Sequence, residues 1–196
     1  MTNKNMRIGE VVEATTTSFV SQCYRLYDSP DLGSIVKTGG PYPTFGLVYN
    51  IATQGIDPSR KPVARGIDNL SESDVYKSNP QLEKLLRTDF FSISIGYVNN
   101  DELTCQLPPK PPPIYSFVEL CNDMDLVSLS SDLSFINVLV SSGLAATDEL
   151  LAIIISKLAG FQGNKEDFLI TAGKWLINVF PGDYRKMEYI LSKVQS

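Results

Sequence analysis

Two hydrophobic periods divide the chain. Up to Leu120 apolar and polar positions alternate in short runs bounded by Thr, Asp, Pro or Gly, and from Asn122 onward apolar positions recur at helical spacing. The runs predict strands at Arg7 to Glu13, Ser18 to Tyr24, Leu32 to Val36 and Phe45 to Ile51, all rich in β-branched and aromatic residues. Gly9, Gly33 and Gly46 fall one or two residues into three of these strands, where a sharply coiled sheet needs bulges and corners. Thr15, Thr16 and Thr17 predict a first turn closed by hydroxyl bonds to backbone, without a tight Asn-Gly pair.

Alternation returns at Phe90 to Tyr97, with Phe91, Ile93 and Ile95 on one face, and Asn99-Asn100-Asp101 predicts a turn into Leu103 to Leu107. Pro108-Pro109-Lys110-Pro111-Pro112-Pro113 predicts a stiff, extended lead into a closing strand at Ile114 to Leu120. Between the fourth and fifth strands lie two expected short helices. Ser71 is the expected cap of the first, and Leu82, Leu85 and Leu86 share a face of the second behind Pro80; both are expected to dock on the side of the strand unit or over one of its ends.

The C-terminal third predicts short helices at Asp123 to Leu129 and Phe135 to Leu139, then three longer ones. Thr147 is the expected cap of a helix with the stripe Leu150, Leu151, Ile154, Ile155 and Leu158, ended by Gly160. Asn164 is the expected start of a helix facing inward through Phe168, Ala172, Trp175, Leu176 and Val179, and Asp183 of a last helix with Met187, Ile190, Leu191 and Val194. The fold expected is therefore α+β, a small N-terminal β-barrel with inserted short helices over residues 6–120 and a C-terminal α-helical bundle over residues 121–196.

The order Gly-x-Val, Ser-Phe, Leu-Gly-x-x-Val and Phe-Gly-x-Val resembles the HAS barrel, the N-terminal domain shared by HerA-type DNA translocases and rotary ATP synthase subunits. It is most similar to the stand-alone cyanobacterial type that lacks an ATPase domain. The resemblance spans roughly residues 6 to 120 and implies a barrel that docks on, caps or regulates a larger assembly, such as a hexameric P-loop ATPase ring or an associated nuclease. Self-association into an oligomer is compatible with it.

Composition narrows the chemistry. Histidine is absent, which removes the commonest general base, the commonest metal ligand and every Ser-His or Cys-His nucleophile. Cys23, Cys105 and Cys121 form an odd set without a C-x-x-C pair, so buried free thiols are expected instead of a disulfide framework or zinc site. No Gly-x-x-x-x-Gly-Lys-Ser/Thr loop occurs; Gly173-Lys174-Trp175 lies in a helical pattern, and Gly160-Phe161-Gln162-Gly163 joins two helices without a preceding strand. The pure chain is expected to show neither ATPase activity nor magnesium-dependent nucleotide binding. No catalytic, cofactor-binding or metal-binding residue is assigned, and Asp123 and Asp125 read as a solvated helix start.

With 17 Lys plus Arg against 22 Asp plus Glu, the net charge is −5, about −2 before residue 120 and −3 after it. Phosphate backbones need clustered cations, so direct nucleic-acid binding is not expected. The densest cationic group is Arg60, Lys61 and Arg65, in the irregular segment Gly55 to Gly66 with its two prolines. These three are the candidate partner contacts, set against the plainer role of keeping a loop soluble. No apolar run of about 18 residues predicts membrane insertion, and a cytoplasmic address is expected. The function expected is a non-catalytic interaction or regulatory module. An enzyme with a carboxylate or metal-carboxylate site built from distant Asp and Glu, and a weak nucleic-acid-binding barrel, remain as alternatives.

Overall fold

The computed structural model describes residues 7–57, 59, 61–68 and 71–194. Seven antiparallel strands make one sheet: β1 (Arg7–Ala14), β2 (Ser18–Cys23), β3 (Ile35–Thr38), β4 (Thr44–Gly55), β5 (Leu86–Asn99), β6 (Glu102–Thr104) and β7 (Phe117–Leu120). Their order is β2-β1-β7-β3-β4-β5-β6, and a further pairing of β2 with β5 brings the order back to its start. Six strands thus form a closed circuit, and β6 alone lies outside it, paired to β5. Two short helices, α1 (Glu72–Ser78) and α2 (Leu82–Leu85), interrupt the strands, and five follow them: α3 (Asp123–Ser130), α4 (Phe135–Ser141), α5 (Thr147–Ala159), α6 (Lys165–Val179) and α7 (Tyr184–Val194). The fold is α+β, as the two periods predict.

The turns use the chemistry expected of them. Thr15 Oγ1 donates to the Ser18 carbonyl and accepts from the Ser18 amide at 3.0 Å each, closing β1 to β2. Asn100 and Asp101 both adopt left-handed backbone, φ 50° and 64°, as a two-residue hairpin between β5 and β6 requires. Gly46 sits at a shift of register between β4 and β5. A Cβ there would run into the Phe19 ring and Ser92 Cβ, so the missing side chain makes room for one of the two phenylalanines of the strand cluster.

Period-two alternation separates two apolar clusters. Val11, Phe19, Cys23, Val36, Val48, Phe90 and Val118 pack together from strands alone. Ile35, Phe45, Leu47, Ile93 and Ile95 belong instead to a cluster shared with the helices, among them Leu129, Phe135, Ile136 and the fully buried Leu150, Leu151, Ile154, Ile155 and Leu158 of α5. Each such side chain contributes roughly 1.5–3 kcal/mol by leaving water, so the helices and the strand face they cover stabilise each other. Phe168, Ala172 and Leu176 of α6 and Met187, Ile190 and Val194 of α7 join the same cluster, with Trp175 and Val179 half-buried at its margin.

Element boundaries depart from the sequence reading in instructive ways. Thr147 lies inside α5, where its hydroxyl donates back to the Leu144 carbonyl at 2.6 Å instead of capping the helix. The third strand starts at Ile35, since Gly33 has φ 74° and belongs to the turn before it. Closure waits until Phe117 because Tyr115 takes left-handed backbone, φ 66°, and ends any strand begun at Ile114. Asn122 and Asp125 form a reciprocal capping box on α3, and Asp125 also meets Lys37 of β3 at 2.9 Å. That carboxylate is a structural tie between sheet and helix. Among the described residues no single helix is long and apolar enough to cross a membrane.

Candidate functional site

Strands β4 and β5 each run four residues past the expected limits, at Ala52–Gly55 and Leu86–Asp89. Thr53 to Gly55 pairs with Thr88 to Leu86 beyond the last residue of β5 that β2 reaches, Asp89. The result is a two-stranded arm projecting from the circuit. Leu86 begins this strand instead of continuing the α2 face, and its backbone is extended at φ −115°, ψ 154°.

The two faces of the arm differ. On one, Asp89 is 1% exposed and its Oδ2 lies 2.9 Å from Arg87 Nε and accepts from Gln54 Nε2 at 3.0 Å. On the other, alternation from Phe90 and Ile51 places Thr88, Thr53, Leu86 and Gly55 on the side that continues the interior of the circuit. Thr88 Oγ1 accepts from the Tyr27 amide at 2.9 Å and bonds Thr53 Oγ1 at 2.8 Å. Tyr27, held at φ 66°, bonds its hydroxyl to that of Tyr76 on α1 at 2.5 Å with the rings edge to face. That bond, ahead of burial, pushes the Tyr76 phenol up to about 12.

These contacts enclose a trough of about 1040 Å³. Its walls include Thr53, Gly55 and Leu86 of the arm, Val75 and Tyr76 of α1, Leu82 and Leu85 of α2, and Ile56, Pro62 and Val63. Lys61, Arg65 and Lys84 also line it, all exposed. The carboxylate among the lining residues, Asp57, accepts from the Ser59 amide at 2.9 Å and hydroxyl at 2.6 Å, bonds that hold its pKa below the usual carboxylate range. Val63 is 71% exposed and Leu85 57%, so the walls leave apolar surface in water. α2 has no buried residue and serves as a wall, which answers where Leu82 and Leu85 go.

Of the predicted contacts, Lys61 and Arg65 are brought together on this trough, while Arg60 lies outside the described residues. Tyr27, Tyr76 and Lys84 carry no sequence signal for it. They sit in a loop and two short helices whose approach depends on the β4 and β5 extensions.

Among the described residues no group of three or more Cys, Asp or Glu is placed to hold a metal ion. The free thiols of Cys23 and Cys105 are buried, and burial, chiefly, pushes them up to about 11 and about 12; burial also raises Cys121. Thiols so shifted are protonated near neutral pH and poor nucleophiles. A second, smaller hollow of about 350 Å³ lies between Thr17, Ile93 and Leu107 on one side and Val138, Ser141 and Ser142 on the other.

No protein-family model and no curated protein matches this chain.

Proposed function

We propose that the chain is a non-catalytic interaction module that docks on a larger protein assembly through the trough at the end of its strand circuit. The observation that carries this reading is the pairing of water-exposed apolar walls with cations in a chain whose net charge is −5. Exposed apolar surface next to mainly cationic side chains suits a protein-binding patch: burial supplies affinity, and the cations supply orientation and on-rate. The six-strand circuit is consistent with a HAS-like barrel and α3 to α7 with a helical unit behind it, which would make a ring-shaped ATPase or a nuclease associated with one the class of assembly to look for. A cytoplasmic address fits such a role.

The test is affinity capture of the tagged protein beside a triple variant with Arg60, Lys61 and Arg65 replaced by Ser. We expect a stoichiometric protein partner that the variant captures more slowly and that rising salt releases, with no appreciable change in melting temperature. Capture that is unchanged in both association rate and salt dependence would move the interaction to another surface.

A further inference from the structure

The trough also indicates what kind of segment docks there. Building on the interaction reading above, we infer that it receives a short acidic peptide segment of the partner, carrying apolar side chains that seat among Leu82 and Leu85 of α2 and Ile56, Pro62 and Val63. Charge comes first: among the described lining residues Lys61, Arg65 and Lys84 stand beside one carboxylate, Asp57, which already accepts two bonds from Ser59. The lining cations favour an acidic segment within the trough, whereas the chain as a whole carries net negative charge.

Shape and surface select a peptide. At about 1040 Å³ the trough sits at the upper end of the roughly 300–1,000 Å³ typical of small-molecule sites, with room for several side chains of a peptide. Val63 and Leu85 offer apolar contact that a simple anion would leave wet. Nucleic acid fits less well, because each neutralised phosphate calls for its own cation and here three cations are interleaved with apolar positions. The hydroxyl bond between Tyr27 and Tyr76 holds two of the lining side chains together, so less ordering is needed when an occupant seats against them.

Selection of a library of short random peptides on the immobilised full-length protein tests this directly. Enriched sequences should combine Asp or Glu with Leu, Ile or Phe. Their affinity, read by fluorescence anisotropy, should fall by about tenfold or more in Lys61→Glu/Arg65→Glu and in Val63→Asp, with unchanged melting temperature, and should be untouched in Lys174→Glu on α6. No enrichment, enrichment without acidic bias, or equal binding by the variants overturns the inference. So does tighter binding, through the same residues, of a single-stranded oligonucleotide or of phosphatidylglycerol vesicles. If the peptide result fails while partner capture still depends on Lys61 and Arg65, the docking surface stands and only its peptide ligand is wrong; if neither depends on them, both fall.

Discussion

Gly46 shows how one missing side chain shapes the interior. Its position opposite Phe19 and Ser92 is filled from across the circuit, so a larger residue has nowhere to go without moving strand backbone. Gly46→Val should cost roughly 1–3 kcal/mol by overpacking, read as a lower urea midpoint with an unchanged slope. The buried thiols make a different statement. Cys23 and Cys105 ionise near 9.0 in an unfolded chain but near 11 and 12 when folded, so above about pH 9 the unfolded state has shed protons that the native state keeps. Their contribution is complete below pH 9.0 and lost as pH rises through those folded values; Tyr24 and Tyr76, both raised to about 12, act in the same direction. The urea midpoint should hold up to about pH 9 and drop as pH rises from there towards about 11, and Cys23→Ala/Cys105→Ala should flatten that drop.

At the scale of elements, what was legible in the residues follows from how regular each pattern is. The stripe of α5, the Asn164 and Asp183 starts of α6 and α7, and the Asn100-Asp101 turn were all readable because propensity, pattern and capping agree there. The arm was not. Thr53, Gln54, Arg87 and Thr88 lack apolar alternation because neither face of the arm is packed like a core, and Leu86 matched a helical face more simply than a strand start. The candidate site was therefore legible only in its cations, while its walls depend on that unmarked extension. Asp125 is a related case: its spacing from Asn122 marks a cap, but no local pattern announces Lys37. Asp125→Ala removes the carboxylate half of the capping box and the ion pair, while the residue-125 amide still donates to Asn122 Oδ1, and should cost roughly 1–2 kcal/mol. Asp125→Asn, which keeps an acceptor for the Asn122 amide, should recover about half of that, measured by urea unfolding.

Across the whole molecule, the decisive feature is the apolar cluster shared by the outer face of β3, β4 and β5 and the C-terminal helices. A division at residue 121 leaves the strand unit with the cluster around Val11, Phe19 and Phe90 but uncovers Ile35, Leu47, Ile93 and Ile95. The intact chain should unfold in one transition, so that Trp175 fluorescence from α6 and the circular dichroism of the whole chain give coincident curves. Removing residues 122–196 should yield a β-rich fragment with a lower midpoint that self-associates, seen by circular dichroism with light scattering. A fragment as stable and monodisperse as the full chain would show that the strand cluster suffices alone.

β7 is only four residues long, yet it lies between β1 and β3 and pairs with both, including Arg7 with Glu119 and Val36 with Leu120. On a translating ribosome the first strand therefore leaves the exit tunnel long before its second neighbour has been made. At typical synthesis rates that delay is on the order of ten seconds, during which β1 and β3 each present an unpaired edge. Those edges are the surfaces a ribosome-associated chaperone would meet, and slower decoding ahead of residue 117 would lengthen their exposure.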